Sequence, residues 1–353
     1  MTGTFSNPLT EDLDGILARV PEVWEELRDA RVFITGGTGF FGCWFLESLV
    51  HANARLGLGM RATVLSRNPE RFRQKYPELA GNPAFTFLAG DVRDFAFPAG
   101  GFSHVIHAAT QASAQLNEAA PLAMFDTIVY GTRRCLEFAA HCGAGGFLLT
   151  SSGAVYGRQP EDLPRVPETF AGGPDPLDPR SAYAEGKRAA ELECALFARR
   201  GLAPKIARCF AFAGPYMNLD AHFAIGNFIR DQLQGGPIRV SGDGHPVRSY
   251  MYAADLMVWL WTILQRGTPG RAYNVGAEEA VSIAQLAHLV ADALSPRVAV
   301  EIAGKPNRAG AADYYVPCTA RAREELGVCC YTPLRETVQR TQAWFVRKPA
   351  AYS

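Results

Sequence analysis

The stretch "RVFITGGTGFFGCWFLESLV", residues 31–50, runs from a β-branched, apolar segment through three glycines into an amphipathic segment. Gly36, Gly39 and Gly42 stand at G-x-x-G-x-x-G spacing between a predicted strand and a predicted helix. Glycine at those steps lets the backbone approach a pyrophosphate closely, at a helix N-terminus whose unpaired N–H groups favour anions. A tight turn of purely structural purpose also uses glycine, so the surroundings decide. Outward from it, the short apolar runs "RATVLSR" (61–67), "FTFLAGD" (85–91), "HVIHAAT" (104–110) and "GFLLTSS" (146–152) are separated by stretches long enough for helices. That alternation predicts an α/β chain built on a doubly wound parallel sheet of the Rossmann type. After about residue 210, loops rich in Gly and Pro, such as "FAGPYMNLDAHF" and "VSGDGHPVRSY", imply a smaller C-terminal substrate domain. The expected division is a helical extension over 1–29, a dinucleotide domain over 30–210, and a substrate region over 211–345 with some segments returning to the first domain.

Composition excludes several classes. With 353 residues, 48% hydrophobic and 20% charged, the chain can bury a sizeable core. Lys+Arg and Asp+Glu both number 35, and no basic stripe is present, so nucleic acid is not an expected partner. The longest apolar run, "LMVWLWTIL" (256–264), is about half what a membrane-spanning helix needs and reads as a core helix. The N-terminus is acidic and lacks the basic-then-apolar order of a secretion signal, so a cytoplasmic protein without membrane attachment is expected. Eight scattered cysteines contain no C-x-x-C pair, which predicts reduced structural thiols and no metal site.

Several strand ends converge on the same crevice. The glycine turn itself contains Thr38, Phe40 and Phe41; Asp91 and Val92 end the third run where adenine contacts would fall, and His107, Ala108, Ala109 and Thr110 end the fourth. The second run ends in Ser66 and Arg67. An acid there would bond the ribose 2′-hydroxyl of NAD, whereas Arg accommodates the 2′-phosphate of NADP, so the cofactor expected is NAD or NADP with a tilt toward NADP.

"SAYAEGKRAAELECALFARRG" (181–201) reads as a helix with Tyr183 and Lys187 one turn apart on one face. A nearby ammonium favours the phenolate, which makes Tyr183 an acid/base candidate. Ser151 and Ser152, at the end of the preceding strand, could bond the same substrate oxygen. An ordinary amphipathic helix would also tolerate a Tyr and a Lys there.

The glycine triplet, "SSGAVYG" (151–157) and the Y-x-x-x-K of Tyr183 to Lys187 together resemble the extended short-chain dehydrogenase/reductases that act as nucleotide-sugar epimerases, dehydratases and decarboxylases. The resemblance spans roughly 30 to 330 and includes "RCFAFAGP", "GDGHPVRSYMYAADL", "AYNVG" and "YVPCTARAREELG"; "DPRSAYAEGKRAAE" is similar to the UDP-glucuronate decarboxylase branch. It implies catalysis by Ser152, Tyr183 and Lys187, a nucleotide-sugar substrate gripped at its pyrophosphate by Arg248, and a homodimer formed through two helices per subunit. Arg forks suit phosphate, so chemistry and resemblance agree.

Departures from the family shape the functional expectation. Where the dehydratases carry an Asp–Glu pair, and decarboxylases a Glu second, this chain has Gly153 and Ala154; where R-x-F-N is usual, Ala211 replaces Asn. His222 and Asn227 fall where substrate contacts would be expected, a structural hydrogen-bonding role being the alternative. The remaining set suffices to oxidise and reduce one ring carbon. The leading expectation is therefore an NAD(P)-dependent nucleotide-sugar epimerase working through a transient keto sugar. An NADPH-dependent 4-keto-sugar reductase, a dehydratase or decarboxylase with atypical acid and base, and a non-catalytic dinucleotide sensor remain as alternatives.

Overall fold

The computed structural model describes residues 7–110, 114–304 and 313–347. Strands β1 (Arg31–Thr35), β2 (Arg61–Ser66), β3 (Phe85–Ala89), β4 (His104–His107), β5 (Gly146–Ser152) and β6 (Pro204–Cys209) join an edge strand, Ala272–Val275, in one all-parallel sheet. The order is edge-β6-β5-β4-β1-β2-β3. Strand order reverses between β1 and β4, which opens a crevice at their carboxyl ends. The apolar runs of the central strands β1 and β5 are buried on both faces, as a doubly covered parallel sheet requires.

Two apolar layers hold the sheet. On one face the helices Phe40–Leu56 and Ala253–Arg266 pack with the N-terminal helices Thr10–Arg19 and Pro21–Glu26, burying Trp24, Trp44, Phe45 and Trp261. The run "LMVWLWTIL" is buried throughout, because its helix lies between the sheet and the N-terminal helices. On the other face Pro121–Cys142 and Ala182–Ala198 cover Phe33, Val105, Phe147 and Leu149. A third cluster, including Ile225, Phe228, Leu286, Val290 and Val338, gathers the C-terminal helices around short strands. Asp12 on the first helix accepts from Tyr252 Oη at 2.6 Å and Arg340 Nη1 at 2.5 Å, tying the N-terminal helices to the last helix, Leu334–Arg347. All eight cysteines are free thiols, and among the described residues no helix is long and apolar enough to cross a membrane.

His107, at the end of β4, is 1% exposed. Its Nδ1 lies 2.8 Å from Thr35 Oγ1 and its Nε2 3.1 Å from Thr132 Oγ1, so two hydroxyls satisfy a neutral ring. Burial pushes its pKa down to about 3, with Lys187 adding to the effect. In the unfolded chain the ring takes up a proton near pH 6.5. Below that pH the unfolded state holds the extra proton, and this contribution to stability is lost as pH falls from about 6.5 toward 3, at up to about 1.4 kcal/mol per pH unit. Denaturant titrations between pH 7.5 and 5 are expected to show a flatter slope in His107→Asn than in the wild type. Equal slopes would remove His107 from the acid sensitivity.

Candidate active site

The glycine turn is a backbone cradle. Gly36 adopts φ +72, and a Cβ there would lie 2.4 Å from Ala108 O at the end of β4. A Cβ on Gly42 would lie 2.3 Å from Gly37 Cα, so the first helical turn sits directly on the loop. Gly39 is the N-cap of the helix Phe40–Leu56, and no side chain caps that end. The N–H groups of its first turn are therefore left for an anion. Asp91 accepts from Arg93 Nε at 2.8 Å and from Arg93 N at 3.0 Å, and the guanidinium holds its carboxyl below the usual range. Val92 packs its side chain against Gly131, which leaves only its backbone for a ligand. Ser66 is buried and its hydroxyl accepts from Asn68 N at 3.3 Å, whereas Arg67 is exposed. The side chain of His107 faces the interior, so its position at the crevice is one of backbone only.

Across the crevice, Lys187 is 3% exposed and donates to Thr150 O at 2.7 Å and to Thr110 Oγ1 at 3.3 Å. Burial lowers its pKa to about 8. Tyr183 lies one turn earlier, with the ammonium 5.9 Å from its ring centroid. Burial pushes the phenol up to about 12, while the Ser152 hydroxyl pulls the other way. The expected lowering by a directly paired ammonium is therefore not the local balance: Lys187 spends its bonds on Thr150 and Thr110. Ser152 Oγ accepts from Ala154 N at 3.2 Å and so caps the short 3-10 turn Gly153–Tyr156.

The two serines do not act together. Successive side chains of a strand alternate faces, and Ser151 Oγ donates to Glu191 Oε1 at 2.5 Å. Glu191 in turn takes Arg208 Nη2 at 2.7 Å, and Arg208 Nη1 donates to Tyr156 Oη at 2.9 Å. Ser151 thus belongs to a polar network that fixes the ends of β5 and β6. Asn227 Nδ2 donates to Leu219 O at 2.8 Å and Ala221 O at 2.7 Å, clamping its own loop. His222 is exposed and its ring lies tilted against that of Phe223, with centroids 4.2 Å apart. Arg248 Nη2 meets Asp313 Oδ2 at 2.6 Å, and its guanidinium sits 6.0 Å from the Tyr315 ring centroid.

Three residues of the site escaped the sequence reading. Tyr315 Oη lies 3.4 Å from Ser152 Oγ. Phe210 packs on Tyr315 with ring centroids 4.6 Å apart and fills the space where a Gly153 Cβ would stand, 2.7 Å from the ring. Asn117 bridges Arg180 O and Tyr183 N, at 2.7 and 3.0 Å, and so anchors the N-terminus of the tyrosine helix. The first two lay within quoted segments, "YVPCTARAREELG" and "RCFAFAGP"; Asn117 carried no signal.

A dinucleotide cradle therefore faces a Ser–Tyr–Lys set across the switch point of a parallel sheet. A sequence profile described as the NAD dependent epimerase/dehydratase family matches residues 32–276. The chain belongs to that family. It is 31% identical over 311 residues to UDP-glucuronic acid decarboxylase 1 of Arabidopsis thaliana, covering 88% of this chain and 68% of that one. It is 30% identical over 298 residues to UDP-glucuronic acid decarboxylase 4 of the same plant, covering 84% of this chain and 64% of that one. The dTDP-glucose 4,6-dehydratase DesIV from Streptomyces venezuelae, solved with NAD bound, matches with a TM-score of 0.75 at 25% identity, covering 90% of this chain and 97% of that one.

For a member of the NAD dependent epimerase/dehydratase family the cradle fits its cofactor. Glycines leave no Cβ where the pyrophosphate would approach, and an uncapped helix end would meet its charge. A bound nicotinamide supplies reversible two-electron oxidation of a ring carbon. Beside it the chain brings together a phenol, a hydroxyl and a buried ammonium, those of Tyr183, Ser152 and Lys187.

Proposed function

We propose that this protein is an NAD-dependent decarboxylase of a nucleotide-linked uronic acid, with UDP-glucuronate as the first substrate to test. The similarity to UDP-glucuronic acid decarboxylases along 88% of the chain carries this reading. The chemistry of the site supports it. Oxidising the ring hydroxyl two carbons from the carboxylate gives a β-keto acid, whose carbon–carboxylate bond breaks with its electrons passing into the ketone. No side chain then has to take a proton from carbon. Dehydration does require that step, and Gly153 and Ala154 offer no group for it. In this reading Tyr183 and Ser152 handle the substrate oxygen, Lys187 supplies the positive charge behind them, and Arg248 exchanges Asp313 for the pyrophosphate. NAD is taken as the cofactor ahead of the NADP that Ser66 and Arg67 suggest, because the matching family is described as NAD dependent.

The epimerase expected from the sequence stands second, favoured by the same missing carboxylates, since it needs oxidation and reduction alone. Incubation of the purified chain with UDP-glucuronate and NAD separates the readings. The expected result is CO2 and a UDP-pentose. Retention of all six sugar carbons with one centre inverted would overturn decarboxylation in favour of epimerisation.

We further propose a homodimer built on Pro121–Cys142 and Ala182–Ala198. Leu122, Tyr130, Leu192 and Leu196 on these helices are 71%, 55%, 61% and 50% exposed, an apolar face suited to a symmetric four-helix contact. Light scattering is expected to give twice the chain mass, and Leu192→Glu the single-chain mass. A monomeric wild type at micromolar concentration would sink the idea.

A further inference from the structure

We propose that Tyr315 is the proton donor to the sugar carbon left electron-rich by loss of CO2. The inference rests on the decarboxylation reading and supplies the acid that Gly153 and Ala154 lack.

The geometry is unusual in placing two phenols on one hydroxyl. Ser152 lies beside Tyr183, whose phenol its hydroxyl influences, and 3.4 Å from the phenol oxygen of Tyr315. The proton of Tyr315 has two acceptors, Ser152 Oγ and Cys209 O, both at 3.4 Å. Hydrogen bonds of that length are weak, so the proton is held in place yet costs little to redirect. Tyr315 reaches this position through pairing of Tyr314–Tyr315 with Val247–Arg248, which sets Tyr315 opposite Arg248, the residue assigned to the pyrophosphate. Its ring rests on Phe210, and Phe210 occupies the volume that any side chain at 153 would need. Burial pushes the Tyr315 phenol well above its ordinary range, so it stays protonated at neutral pH.

The step balances. The bond from the ring to the carboxylate carbon breaks, its electron pair enters the ketone as an enolate, and CO2 leaves. The Tyr315 O–H bond then breaks, a C–H bond forms at the ring carbon, and the ketone is restored. The Tyr315 phenolate takes back a proton from water, with Ser152 as the adjoining hydroxyl. The two electrons taken from the sugar by NAD at the start return to it at the end, so the net change is one proton for one CO2.

Tyr315→Phe, which keeps the ring against Phe210, is assayed beside the wild type with UDP-glucuronate in D2O. The wild type is expected to release one CO2 per UDP-pentose and to place deuterium on one face of the ring carbon. In the variant, pentose formation is expected to fall about 100-fold, CO2 to exceed closed product, some dinucleotide to remain reduced, and the residual pentose to carry deuterium on both faces. A variant slowed overall but still one-to-one and single-faced would show a structural role and overturn the assignment. So would an unchanged variant. A wild type releasing no CO2 would instead defeat the decarboxylation reading itself, and this assignment with it.

Discussion

Tyr183→Phe is expected to lose about 1000-fold in kcat while still binding dinucleotide and sugar nucleotide. Phenylalanine preserves the ring that packs within the second core layer and the helix that carries it, so only the hydroxyl is removed. Without it, the site loses the phenol beside Ser152 and Lys187 that this reading assigns to the substrate oxygen's proton. The alkaline limb of the wild-type profile should follow Lys187. Its ammonium, lowered to about 8 by burial, is lost as pH rises, and with it the positive charge that would stabilise a phenolate. Rates measured from pH 6 to 10 should therefore decline above about 8. Unchanged turnover in Tyr183→Phe would dismiss the tyrosine as acid or base. A profile flat through pH 9 would dismiss the lysine's charge alone.

The sequence showed the scaffold more clearly than the floor of the site. Glycine spacing, strand runs and the four-residue step from Tyr183 to Lys187 are local patterns, and local patterns survive folding because each element satisfies its own backbone. Tyr315 is different: it meets Ser152 across 163 residues, through a two-residue strand whose pairing no periodicity announces. Asn117 likewise reaches Tyr183 N across 66 residues of sequence. The divergence of Ser151 from Ser152 was legible in principle, since a strand cannot aim neighbours at one ligand. What concealed it was the partner, Glu191, which stands 40 residues further along the chain on the helix Ala182–Ala198. The buried His107 followed the same logic: its strand neighbours Val105 and Ile106 are core residues, and Thr35 and Thr132, which complete its bonding, lie on other elements. The missing carboxylates at 153 and 154 were plain in the sequence, but the ring of Phe210 that fills the space beside Gly153 was not.

The glycines of the cradle should separate into a structural and a ligand-facing kind when each is changed. Gly36→Ala is expected to lower stability by several kcal/mol. A left-handed residue with a side chain costs about 1–2 kcal/mol, and here the added carbon would also stand 2.4 Å from Ala108 O and 2.7 Å from Ala109 N, wedging β1 from β4. Gly39→Ala should behave oppositely. Its φ of −94 suits alanine, and the nearest atom to the new carbon is Gly36 O at 3.4 Å, an ordinary contact. The fold should therefore hold, at the few tenths to about 1 kcal/mol that an Ala N-cap costs. If a pyrophosphate lies against this helix end, however, the methyl group stands in its path, and dinucleotide affinity should drop at least tenfold, about 1.4 kcal/mol. Thermal melts paired with calorimetric titration of NAD resolve the two effects. A Gly39→Ala protein that melts normally and binds NAD normally would mean that the turn serves packing alone, and the cofactor would have to be sought away from the helix N-terminus.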